Sequence, residues 1–184
     1  MMRISKILQN NRRREIVGDE MSNYIFLDID GVLNSKRTKA RGPYDNPGIG
    51  KKHLDILKII ADKTNGEVVL ISDWRLSFLP DDHMPKMADY VSRKFDAAGL
   101  PLALVSENHR YENRVDEIAR WIQNNPTEGF IILDDSNWPG YEMETVKPHW
   151  VQTDSRKGLE EKHIEEAIAK MAVPVIQPID RPGI

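Results

Sequence analysis

Ile25-Phe26-Leu27-Asp28-Ile29-Asp30-Gly31-Val32-Leu33-Asn34 is the stretch that decides the fold. An apolar run enters two carboxylates two residues apart and then a glycine. Extended chain repeats every two residues, so Asp28 and Asp30 share one side if the strand geometry persists, and Gly31 lets the backbone turn sharply beyond them. Two acids at the carboxyl end of a strand stand where open α/β sheets place their ligand crevice. A strand-end Asp-x-Asp-Gly turn is also common on surfaces, so the weight falls on what the rest of the chain sets beside it.

Outward from this segment, strand and helix signals alternate. Short β-rich runs fall at Tyr24–Leu27, Glu67–Ile71, Leu102–Val105, Phe130–Leu133 and His149–Thr153. Between them lie amphipathic stretches at Gly50–Lys63, Pro85–Ala98, Glu112–Asn124 and Leu159–Met171. Several of the runs are continuously apolar, as strands buried on both faces are. The pattern predicts an α/β three-layer sandwich around a mostly parallel, Rossmann-like sheet. Residues 21–172 read as its one domain. Residues 1–20 form a basic extension with five Lys/Arg against three acids, and 173–184 form a proline-rich tail.

Composition narrows the chemistry. The 184 residues carry 26 Lys/Arg, 29 Asp/Glu and no cysteine, a formal charge of -3. Without thiols, any nucleophile or metal ligand is oxygen or imidazole, and carboxylates with hard cations are the natural suspects. The five histidines are scattered without ligand spacing. No apolar run approaches the ~18 residues of a membrane span. The N-terminus lacks a signal-like apolar stretch, so the expected location is cytoplasmic.

Two further strand ends carry polar groups. Val68-Val-Leu-Ile-Ser72-Asp-Trp-Arg75 stops on a hydroxyl that could donate to a phosphoryl oxygen, with Arg75 placed to hold a second phosphate or stack on a base. Phe130-Ile-Ile-Leu-Asp134-Asp135-Ser136 ends in adjacent acids. Burying neighbouring carboxylates is costly without a compensating cation, and with Asp28 and Asp30 they form an oxygen-rich cluster suited to Mg²⁺. Adjacent residues point apart in extended chain, which leaves open whether Asp134 or Asp135 would bind directly. Such a site would repel phosphate unless a base stood nearby. Arg114 opens the helix that enters from the same side of the sheet. Arg120 lies about 9 Å further down the axis, and Arg110 in the preceding loop is a competitor.

The ordered set Asp28-x-Asp30-Gly31, Ser72, a basic residue and Asp134-Asp135 resembles the haloacid dehalogenase-like (HAD) phosphohydrolase superfamily. The wider string, with ISDWR, ARWI, ILDDS and a late Gly158-Leu159, is similar to its capless nucleic-acid-repair branch: the phosphatase domains of polynucleotide kinase-phosphatases and the HAD domain of Swiss Army Knife RNA repair proteins. The resemblance implies Asp28 as a nucleophile that becomes an aspartyl-phosphate and Asp30 as general acid/base. It implies that Ser72 and Arg114 orient the phosphoryl group and that the acids at 134 and 135 help to hold Mg²⁺. Val32 stands where threonine is common in the family, Arg114 where lysine is usual, and Asp73 adds an acid near the site.

Only about 15 loop residues follow the first motif, too few for a cap domain, so an open site is expected. The loop carries Lys36, Arg37, Lys39, Arg41 and Tyr44. Arg37 and its neighbours would suit phosphates flanking a DNA or RNA end, with Tyr44 or Trp74 available to stack a base. The expected activity is thus a Mg²⁺-dependent phosphomonoesterase acting on a nucleic-acid end, specifically a 3′-phosphate, or on a nucleotide. A small-metabolite phosphatase and a non-catalytic binding module are the alternatives, and a pI near 6.0 argues against tight nonspecific DNA binding.

Overall fold

The continuous apolar runs become the strands of one sheet. The structure is a computed structural model that describes residues 21–78, 84–104 and 113–176. Strands β1 (Ser22–Leu27), β2 (Gly66–Leu70), β3 (Leu102–Leu104), β4 (Thr127–Asp134) and β5 (Trp150–Gln152) are all parallel, in the order β3-β2-β1-β4-β5. Helices α1 (Lys51–Thr64), α2 (Pro85–Ala97), α3 (Arg114–Asn124) and α4 (Lys162–Met171) connect and cover them.

Strand alternation divides the core into two layers. Ile25, Leu27, Val68, Leu70, Ile131 and Leu133 pack with Leu57 and Ile60 of α1, Val91 and Phe95 of α2, and Ala167 of α4. On the other face Tyr24, Phe26, Val69, Phe130 and Ile132 meet Val115, Ile118 and Ile122 of α3. The three-layer α/β sandwich with a parallel sheet is therefore as the sequence predicts.

The topology places the crevice. From β1 the chain moves outward through β2 to β3, then returns past β1 to β4 and β5, so the order reverses between β1 and β4. Ligands of open α/β sheets bind outside the strand carboxyl ends at such a point. Leu27 pairs with both Leu70 and Leu133, so the three central strands end level.

Nothing among the described residues forms a cap domain. The β1–α1 connection holds one 3-10 turn, Pro43–Asp45, and a two-residue bridge, Arg41 with Pro47. The β2–β3 connection holds the turn Asp73–Phe78 and α2.

Some boundaries differ from the periodicity. Helix α3 begins at Arg114 because the Asn113 side chain accepts from the Val115 amide at 3.1 Å and caps it. Helix α4 begins at Lys162 because Leu159 is already committed, its amide bonded to the Val32 carbonyl at 2.8 Å. The 1–20 extension, Val105, Arg110, His83, His109 and tail residues 177–184 lie outside the described residues. Among the described residues no helix is long and apolar enough to cross a membrane.

Candidate active site

The strand ends and the α3 N-terminus converge on one pocket. The ladder runs one residue past β1, with the Asp28 amide donating to the Leu133 carbonyl at 2.9 Å. Alternation then puts Asp28 on the side of Phe26, under α3. Asp134, four residues beyond Phe130, shares that side. Both carboxylates are buried, at 5% and 0% exposure.

Arg114 joins them through a single atom. Its Nη1 lies 2.6 Å from Asp134 Oδ2 and 3.2 Å from Asp28 Oδ1. The guanidinium also covers the Trp138 ring at 4.4 Å. Asn113 fixes the approach by donating to the Pro139 carbonyl at 2.8 Å, tying the α3 start to the loop after β4. Burial opposes the arginine's charge, but Asp28 and Asp134 outweigh it and hold Arg114 protonated, above its ordinary range.

Burial pushes the Asp28 carboxyl up to about 7; Arg114 pulls it down, Asp134 raises it again, and a Ser72 hydrogen bond lowers it. Ser72 thus lies within hydrogen-bond reach of the Asp28 carboxyl. Burial likewise raises Asp134, against the pull of Arg114 and the Ser136 amide. Asp134 Oδ1 accepts from that amide at 2.9 Å, and Oδ2 also accepts from the Tyr141 hydroxyl at 3.1 Å.

Asp135 reaches the same pocket. The strand ends at Asp134, extended alternation stops there, and the next side chain turns inward over Gly31. A β-carbon at Gly31 would lie 2.3 Å from the Asp135 carboxyl, and Gly31 has φ +74, so only glycine fits. Oxygens of Asp28, Asp134 and Asp135 all lie within 4.8 Å of one another. Fully ionised, three carboxylates against one guanidinium leave an excess of two negative charges in a largely buried space. That oxygen-only, doubly negative set fits a divalent hard cation.

Asp30, expected among the metal-holding acids, stands apart from the other three. Its carboxylate is not part of the cluster: Oδ1 accepts from Asn34 Nδ2 at 2.7 Å and Oδ2 from Trp74 Nε1 at 2.8 Å. Two neutral donors hold an exposed acid at the edge of the pocket, which suits proton transfer better than ligation. Asn34 closes the turn as well, its Oδ1 accepting from the Gly31 amide at 3.0 Å. Trp74 is 8% exposed and its indole N–H is used, so it is no stacking surface.

Arg75 also departs from expectation. Its guanidinium is buried, donates to the Ile71 carbonyl at 2.9 Å and pairs with Glu117 of α3 and with Asp73 at 3.3 Å. It braces the turn after β2 against α3. Arg37 is exposed on the loop after the first motif, apart from the carboxylates.

Asn34, Tyr141 and Glu117 were not legible as site residues, and Trp74, expected to stack a base, instead donates to Asp30. Only Asn34 had a local signal, an amide four residues after Asp30 in the decisive segment. A family model described as the HAD domain in Swiss Army Knife RNA repair proteins matches residues 24–164. Neither the search of curated proteins nor that of solved structures returned a match.

Proposed function

The chain belongs to the HAD-domain family of Swiss Army Knife RNA repair proteins, and from that premise we propose that it is a divalent-cation-dependent phosphomonoesterase acting on a nucleic-acid end or nucleotide. One observation carries the reading: Asp28 is buried beside Arg114 and Ser72, while Asp30, two residues on, is held outside the acidic cluster by Asn34 and Trp74.

In this mechanism Asp28 attacks phosphorus, the ester P–O bond breaks, and Asp30 gives its proton to the leaving oxygen. Asp30, now ionised, takes a proton from water. The hydroxide attacks the acyl-phosphate at phosphorus, releasing phosphate and the Asp28 carboxylate. Arg114 and Ser72 orient the phosphoryl oxygens and bear part of their charge. Asp28, Asp134 and Asp135 would hold the cation, for which Mg²⁺ is the hard, oxygen-seeking choice, and when bound it neutralises charge on those oxygens. Asp30 holds and returns the proton at Oδ1 or Oδ2, the atoms that Asn34 and Trp74 fix in place.

The test is phosphate release from 3′- and 5′-phosphorylated oligonucleotides, mononucleotides and an aryl phosphate, with Mg²⁺ or EDTA. Release in Mg²⁺, its loss in EDTA and its abolition in Asp28→Asn are expected. Full activity of that variant would remove Asp28 as nucleophile. Turnover of small esters alone would favour a metabolite phosphatase. No turnover of any ester would favour a binding module.

A further inference from the structure

A cleft of about 230 Å³ opens beside the loop that follows Asp30. Its walls are that loop (Arg37, Thr38), the first turn of α1 (Lys52, His53) and the segment after β5 (Lys157, Glu160). All three segments begin at or face the carboxyl end of the sheet, the edge that also holds the carboxylate pocket.

The walls are tied to one another and to the first motif. His53 Nδ1 donates to the Leu159 carbonyl at 2.7 Å, and Gly158, at φ +73, admits the ring where a β-carbon would lie 2.9 Å from its Nε2. The segment after β5 is bonded back three times, through the Lys36 amide to the Ser155 carbonyl at 3.1 Å, Thr153 Oγ1 to the Gly31 carbonyl at 2.8 Å and the Leu159 amide to the Val32 carbonyl at 2.8 Å. Thr38 Oγ1 accepts from the Ser35 amide at 2.9 Å, ordering the turn that carries Arg37. The next residue back, Asn34, is the one that holds Asp30. Cleft and acid therefore share one braced loop.

The charge is unbalanced. Several surface cations elsewhere are matched, Lys51 with Asp55, Lys58 with Asp62, Arg93 with Asp89 and Arg156 with Asp154. Arg37, Lys52 and Lys157 form no ion pair among the described residues, Lys157 only adding to the pull that Arg156 exerts on Asp154, and the one acid in the cleft, Glu160, is turned to Lys162 at 3.5 Å. Three exposed cations line one small cleft in a chain of formal charge -3, and an anion between them would relieve their mutual repulsion.

We infer that this cleft is a second phosphate subsite, holding a non-scissile backbone phosphate of a polynucleotide whose terminal phosphate occupies the Asp28 pocket; the inference rests on the phosphatase reading above. Exposed aromatics at Tyr44, 48% accessible, and Trp138, 37%, offer π-faces to the bases such a strand would carry. The substrate class is thus an oligonucleotide end rather than a mononucleotide.

The test uses the double variant Lys52→Gln/Lys157→Gln and, separately, Lys157→Glu in the full chain. Each is compared with the parent on a terminally phosphorylated ten-nucleotide strand, the matching mononucleotide and an aryl phosphate. On the strand, kcat/KM should fall about tenfold or more at low salt, and its log–log salt slope should shrink by about 1–2. The one-phosphate substrates should change by less than about twofold, because a distant contact acts only on a substrate that carries the distant phosphate. Unchanged kinetics on the strand, or equal losses on all three substrates, would overturn the subsite. If the parent hydrolyses no ester, the phosphatase reading falls by itself. Fluorescence anisotropy of the same strand, labelled with fluorescein, then decides the cleft: weakened binding in both variants upholds it and unchanged binding refutes it. Tighter, lysine-dependent binding of a phosphopeptide of equal length would overturn the nucleic-acid assignment.

Discussion

Arg114 offers the sharpest test of the pocket's electrostatics, because one nitrogen serves two buried carboxylates. Nη1 lies 2.6 Å from Asp134 and 3.2 Å from Asp28, both of them essentially inaccessible. Arg114→Met keeps a stem of similar length to lie on Trp138 and removes the charge. At an exposed site the loss would be under about 1 kcal/mol. Here removing one partner strands two buried carboxylates, which costs about 3–5 kcal/mol, a large share of the ~5–15 kcal/mol that keeps a domain folded. Loss of the cation–π contact adds about 1 kcal/mol. Arg114→Lys is the informative partner. A lysine ammonium can stand where Nη1 stands and meet both oxygens, giving up only the planar stack, so its deficit should stay near about 1 kcal/mol. Urea melts in EDTA measure both, since a bound cation would mask the missing charge. A methionine variant as stable as the parent would refute the counter-charge argument. A lysine variant as damaged as the methionine one would show that the planar fork, not the single nitrogen, is what the pocket uses.

Gly31→Ala should lower Tm by about 3–6 °C, from about 1–2 kcal/mol of left-handed backbone strain, and raise the Mg²⁺ concentration needed for half-maximal activity, because the new methyl must displace the Asp135 carboxyl 2.3 Å away. Unaltered Mg²⁺ dependence would remove Asp135 from the cation site. His149 and His163 are 1% and 2% exposed, and burial lowers both below the ordinary 6.5. The folded state therefore disfavours their protonation, so their contribution is complete above about pH 6.5 and is lost as pH falls through the lowered folded values. Buried Asp28 titrates nearby with the opposite sign, so the quantity to follow is the difference in urea midpoint between parent and His149→Asn. It should be largest near pH 7.5 and shrink toward pH 5, and a difference constant with pH would contradict the buried-neutral assignment.

What the sequence made legible follows from how local each signal is. Ile25–Leu27 and Phe130–Leu133 are too continuously apolar for a half-exposed strand, and their lengths exclude helices, so a parallel sheet with covered faces was readable without any tertiary knowledge. Asp28, Ser72 and Asp134 were readable for a related reason: each ends such a run, and topology alone brings the ends of β1, β2 and β4 level. Arg114 followed because a helix returning to the next strand must start at that edge. The failures share a cause too. Arg75 and Trp74 stand directly after Ser72, where a substrate contact is a natural guess, but a guanidinium with several donors takes whichever carboxylate the fold brings close. That proved to be Glu117, 42 residues away and marked by nothing in its own helix. Trp74 found Asp30 across 44 residues in the same way. That pairing, with the one to Asn34, orients the Asp30 carboxylate away from the other three acids. Periodicity states which face a residue occupies, whereas hydrogen-bond capacity is satisfied by partners chosen in three dimensions. Asp28 and Asp30, two residues apart in one motif, are given different chemistry by neighbours that the motif does not contain: a guanidinium under α3 for the first, an indole and an amide for the second.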